Sequence, residues 1–131
     1  MNRTIYVVAA VFGILSIALG AFGAHGLKTV LDAQDIQVFE TGVRYQMYHA
    51  LFLLLLANTA YIPEQKKRPI FYLITIGVVL FSFSIYLLAT DDLIGSDFGA
   101  IGFVTPIGGI FLLSGWAVFG YRILKHKKNK I

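Results

Sequence analysis

The stretch FETGVRYQMYHALFLLLLANTAY, Phe39 to Tyr61, decides how the chain is read. From Ala50 to Ala57 it is apolar enough for the interior of a bilayer, yet it opens with Glu40, Arg44 and His49. Charged and amide groups facing lipid are expensive, because hydrocarbon offers them no partner. Glu40 and Arg44 stand four apart, as do Arg44 and Tyr48, and Tyr45 and His49, so each pair shares a helix face. That face is expected to turn into a helix bundle or toward the outer headgroups.

The rest of the chain has the same character. Of 131 residues, 57% are hydrophobic and only 14% charged, with a mean hydropathy of +0.74. A soluble domain this small has too much surface for its volume to hide so much apolar area. A membrane span needs roughly 20 mostly apolar residues. Four segments qualify, at about 5–24, 45–61, 70–90 and 101–123. They lack the alternation of a lipid-facing barrel, so the expected fold is all-α: a single integral membrane domain over 1–131, built as a four-helix transmembrane bundle. Pro63 and Pro69 flank a charged turn, and DDLIGSDFGAIG, 91–102, is a polar, glycine-rich connection. The absence of cysteine removes disulfides, thiolate metal sites and thiol nucleophiles.

Charge sets the expected orientation. With four spans, the N-terminus, the 62–69 loop and the C-terminal tail share one side. That side holds nine of the eleven Lys and Arg residues: Arg3, Lys66, Lys67, Arg68, Arg122, Lys125, Lys127, Lys128 and Lys130. The other side holds six of the seven acids: Asp32, Asp35, Glu40, Asp91, Asp92 and Asp97. Cytoplasmic loops are enriched in Lys and Arg, so both termini are expected inside, in the bacterial cytoplasmic membrane. Reading Arg3 and the run ending in GAFGAHG as a cleaved signal would leave three spans and destroy this segregation. Lys66, Lys67, Arg68, Lys125, Lys127 and Lys128 each adjoin an apolar run. Anionic headgroups, rather than nucleic acid, are therefore the expected partner for the net charge of +4.

Other residues suggest how the spans pack. Ser16, Gly20 and Ala24, with Gly13 nearby, allow close helix approach. Pro106, Gly108 and Gly109 suggest a kink or a tight contact in the fourth span. Asn58, deep among apolar neighbours, calls for a partner on another helix or on a second copy of the chain. Trp116, Tyr121 and Tyr61 are expected to anchor the inner boundary. Over 27–39, Leu27, Val30, Leu31 and Val38 fall on one side of a helix and Gln34 interrupts them. An interfacial helix and a solvated loop are the two readings of that linker.

The cluster His25, Glu40, Arg44, Tyr45, Gln46, Tyr48 and His49 is the candidate site, expected within the outer leaflet. Histidine titrates near neutral pH, so His49 with Glu40 could relay protons. His25, His49 and a carboxylate could hold a metal, but HxxxH and HExxH spacings are absent. Neither a cofactor nor a metal is expected. The favoured reading is interhelical hydrogen bonding with Arg44 snorkelling to phosphates, in a non-catalytic protein with a structural or lipid-interacting role in membrane integrity. A small transporter or channel using Glu40 and His49 is the runner-up. An enzyme acting on lipid headgroups comes third, for want of a nucleophile beside a base.

Three stretches together, GAFGAHGL at 20–27, FETGVRYQMYHAL at 39–51 and PIGGIFLLSGW at 106–116, closely resemble the YgdD/YwdK-like family of small bacterial membrane proteins. That family is a domain of unknown function with a small eukaryotic transmembrane relative. The resemblance spans nearly the whole chain and implies a four-span inner-membrane protein with no assigned reaction. It carries over His25, Glu40, Arg44, Tyr45, Gln46, His49, Pro106, Gly108, Gly109 and Trp116 as motif positions. The chain departs from the family at Gly42, where a small residue, often alanine, is usual; glycine costs a helix about 1 kcal/mol relative to alanine.

Overall fold

A computed structural model describes residues 1–95 and 99–130, without the side chains of Asp92, Ile94, 99–100 and 127–130. Asp97, and the side chains of Asp92, Lys127, Lys128 and Lys130, therefore lie outside the described residues. Among the described residues there are helices and turns but no strand, with α1 Asn2–His25, α2 Ala33–Asn58, α3 Glu64–Val78, α4 Ser84–Ala89, α5 Asp91–Ile94 and α6 Val104–Lys130. A π-helical segment, Val79–Phe83, joins α3 to α4 so that they form one rod, and a 3-10 turn, Gly99–Phe103, leads into α6. Asn2–His25, Glu64–Ala89 and Ile101–His126 are each long and apolar enough to cross a membrane. At 26 residues α2 is equally long, about 39 Å at the α-helical rise. Its first half is too polar to stand with them on composition.

The start of α2 corrects the linker reading. Asp32 has extended backbone and its side chain accepts the Asp35 N–H at 2.8 Å, the hydrogen bond that fixes an N-terminus. Residues 33–39 are thus the opening turns of α2, and no separate interfacial helix covers 27–39. The turns before it bury Leu27 and Leu31 against Phe39 and Ala89 and leave Val30 exposed. At the other end α2 stops at Asn58, and α3 begins at Glu64, earlier than the apolar run suggested.

Helix α1 packs along α2, α6 packs along α3 and the π segment, and α2 also touches α3, the π segment and α4. The α2 helix and the third rod thus form the middle, with α1 and α6 on the flanks. Met1 lies by Glu64, and Tyr61 packs edge-on against His126 at 5.2 Å. Those residues mark a basic end of the bundle, opposite an acidic end at 25–40 and 90–95. The larger apolar core joins Ile5, Leu53, Leu56, Ile70, Ile74 and Val78, and a smaller one at the acidic end joins Leu27, Leu31, Phe39 and Ala89. A layer of polar side chains from residues 42–49 and 82–86 lies between them.

Candidate functional site

Glycine positions this layer. At Gly42 a methyl group would lie 2.7 Å from Cε1 of Tyr86, so the Tyr86 ring rests directly on the α2 backbone. The departure at Gly42 makes room for that ring. Ser82 donates to the Gly42 carbonyl at 2.8 Å. A methyl at Gly108 would collide with the backbone of Leu80 and Phe81, so α6 meets the π segment backbone to backbone. Gly77 and Gly115 are equally close to Leu112 and Ile74. Pro106 stands in the first turn of α6, where a proline is tolerated, and the close contact rather than a kink is the consequence of these residues.

Gln46 is 0% exposed. Its Nε2 donates to the Phe12 carbonyl at 2.9 Å, and its Oε1 accepts the Tyr86 hydroxyl at 2.6 Å. One amide therefore ties α1 to α4 through α2. Phe12 and Gln46 each stand near the middle of their helices, so this cross-link lies at mid-bundle. His49, one turn on, is also buried. Its Nδ1 lies 2.7 Å from the Tyr45 carbonyl, and its Nε2 lies 3.1 Å from Trp116 Nε1. Indole can only donate, so Nε2 is the acceptor and Nδ1 holds the hydrogen. Both nitrogens of a neutral ring are satisfied this way, and Phe52 closes on the same indole at 4.3 Å. Beside His49 a groove of ≈ 280 Å³ opens between α2 and α6, lined by Tyr45, Phe81, Leu112, Leu113 and Trp116.

The sequence-predicted cluster divides. Gln46 and His49 turn inward, about 10 and 15 Å along the axis from Phe39, whose ring lies where a methyl on Gly23 would have to go. They stand near the middle of α2, because that helix begins at Ala33 and not near Tyr45. Glu40, Arg44, Tyr45 and Tyr48 remain exposed on the outside of α2. Arg44 donates to Thr41 Oγ1 at 3.1 Å and stands 3.9 Å from Glu40. Exposed His25 closes α1 at the acidic end, so His25, Arg44 and His49 do not converge. Among the described residues no three of His, Asp and Glu gather closely enough to hold a metal.

The packing residues divide too. Ser16 is buried with its hydroxyl unpartnered, and a methyl on Gly20 would lie 3.4 Å from Val43. Gly13 faces open space and Ala24 is exposed, so Gly23 takes the place expected for Ala24. A methyl on Gly109 would reach only ordinary contact with Phe81, at 3.9 Å. Asn58 is not deep: it ends α2, exposed, with the Tyr6 hydroxyl 3.4 Å away. Trp116 serves His49 rather than the inner boundary alone. Lys66, Arg68 and Lys125 are exposed, but Lys67 is 2% exposed and cannot be a headgroup contact. Its ammonium donates to the Ala57 carbonyl and to Asn2 Oδ1, each at 3.1 Å. A cation there satisfies one of the open carbonyls that end α2. Sequence reading missed Tyr86 and Ser82, whose signal was a spaced polar set, Ser82, Ser84 and Tyr86, inside an apolar span.

Together these features define a class: a helical membrane protein whose buried Gln46 and His49 are each paired within the protein, between two apolar cores. The chain belongs to the family described as "Protein of unknown function (DUF423)", which matches residues 19–109 and so includes the whole polar layer. It is similar to the UPF0382 membrane protein of Haemophilus influenzae, 35% identical over 127 residues, covering 97% of this chain and 98% of that one. The UPF0382 inner membrane protein YgdD of Escherichia coli K12 is 34% identical, covering 99% and 96%. The UPF0382 membrane protein YwdK of Bacillus subtilis is 33% identical, covering 95% and 98%. No solved structure matches.

Proposed function

We propose that the chain crosses the bacterial cytoplasmic membrane four times, with both termini in the cytoplasm, and acts without catalysis as a structural, lipid-interacting element supporting membrane integrity. The Escherichia coli relative is named an inner membrane protein, and the crowding of Lys and Arg at one end of the bundle supports the orientation. In this reading α2 is the fourth crossing. It enters with its polar side chains turned to α1, α4 and α6, and leaves through Ala50–Ala57. Glu40 and Arg44, exposed toward the acidic end, reach outward to the headgroups.

The observation that supports a structural role most is the saturation of Gln46 and His49 by protein partners. A proton carrier needs a free nitrogen or a water path, whereas the groove beside His49 is lined mainly by Tyr45, Phe81, Leu112, Leu113 and Trp116. Melting in detergent and dye leakage from cells expressing Gln46→Leu, His49→Phe or wild-type protein test the reading. Leakage rising in step with lost stability is expected. Full stability with lost protection would transfer these residues from architecture to chemistry.

A further inference from the structure

At the basic end the turn after α2 and the last part of α6 enclose a notch of ≈ 80 Å³, lined by Tyr61, Pro63, Lys66, Arg122, Lys125 and His126. Three of these six hold a permanent positive charge and none is acidic. Glu64, the acid of that loop, is occupied elsewhere: it accepts the Asn2 N–H at 3.2 Å and lies 3.4 Å from the N-terminal ammonium. Among the described residues Lys66, Arg122 and Lys125 have no carboxylate partner. Arg122 is half-buried, and its Nε is buried without an acceptor. Arg122 and Lys125 lie 5.7 and 5.6 Å from the Tyr121 ring and Lys125 donates to its hydroxyl at 3.4 Å, but with no carboxylate beside them the three cations repel one another. A polyatomic anion removes that cost.

The chemistry narrows the anion. A guanidinium presents a planar fork that matches two phosphate oxygens, and lysines add point charges around it. The space far exceeds the ~15 Å³ that admits a single water. Tyr61 lines the notch and Tyr121 lies beside Arg122 and Lys125, both exposed, an amphipathic rim suited to the glycerol and upper chains of a lipid. We propose that this notch is a phosphate-binding site for the headgroup of an anionic phospholipid, with Arg122 as the fork and Lys66 and Lys125 as flanking charges. The assignment of a lipid rests on the reading that this end faces an anionic leaflet; free phosphate shares the chemistry.

The test is native mass spectrometry of the full chain in neutral detergent, titrated with phosphatidylglycerol, phosphatidylcholine or inorganic phosphate. Phosphatidylglycerol is expected to bind, and the Lys66→Gln/Lys125→Gln variant to weaken it at least ten-fold. Lys28→Gln, at the acidic end, leaves binding unchanged. Both substituted lysines are exposed, and an unchanged melting temperature confirms that the variant folds. Equal binding by the double variant overturns the site. Equal binding of phosphatidylcholine overturns the anionic class, and displacement of the lipid by equimolar inorganic phosphate overturns the headgroup. Detergent leaves both ends accessible, so a wrong topology would not change these results and is detected separately.

Discussion

The layer around Gln46 and the notch around Arg122 are both polar, yet they are built on opposite rules. In the layer the amide and the imidazole have their partners: the Gln46 amide has a carbonyl and a phenol, His49 a carbonyl and an indole. In the notch the cations stand together without counter-charges. Depth accounts for the difference. At mid-bundle an unpaired amide or imidazole has neither water nor headgroup to turn to, so the protein supplies those partners itself. Among the described residues there, only the buried hydroxyls of Ser16 and Thr75 are left without one. At the basic end the membrane surface can supply the anion. Lys67 shows the boundary between the rules: adjacent to Lys66 in sequence, it turns inward and is bonded to Ala57 and Asn2.

The comparison can be broken or sharpened by substitution. The largest effect is expected at Gly108, whose backbone contact holds α6 to the rod on which the layer is built. Gly108→Val should cost about 3 kcal/mol, as overpacking against backbone cannot relax, and should appear as a sharp fall in melting temperature. Gln46→Leu fills similar space but leaves the Tyr86 hydroxyl unserved and removes the second bond to the Phe12 carbonyl. A loss of about 2 kcal/mol is expected from unsatisfied groups, with Tyr86→Phe in the same background restoring part of it. Lys67→Met should cost about 1 kcal/mol through the open end of α2. His49→Phe and Trp116→Phe should each cost about 1 kcal/mol, and the double variant less than their sum, because they remove one shared bond. The smallest effect on stability, under ~0.5 kcal/mol, belongs to Lys66→Gln with Lys125→Gln, as for exposed charges generally.

The apolar runs gave away three of the long helices, since Leu, Ile, Val and Phe in unbroken series leave little alternative. The second was harder to bound. Its polar first half hid the start at Ala33, although Asp32 followed three residues later by Asp35 is a legible cap. Once that start was misplaced, Gln46 and His49 appeared near the surface, when they lie halfway down. That Tyr45–His49 would use the backbone carbonyl of one and the ring of the other follows from four-residue spacing. Their third partner, Trp116, lies 67 residues away from His49 and only packing could bring it in. Lys67 was unreadable for the same reason. Nothing in KKRP distinguishes the middle residue, which turns inward only because α1 and the end of α2 meet there. The π segment has no sequence signature beyond Ser82 and Ser84, whose hydroxyls bond the Gly42 and Phe81 carbonyls.

Because the chain has no cysteine, single cysteines report depth and side without background. Lys28→Cys, Gln46→Cys and Lys66→Cys, probed in intact and permeabilised cells with a membrane-impermeant maleimide, test the arrangement directly. The expected result is labelling of position 28 from outside, of 66 only after permeabilisation, and of 46 under neither condition. Labelling of 28 and 66 from the same side, or of 46 in intact cells, would contradict it.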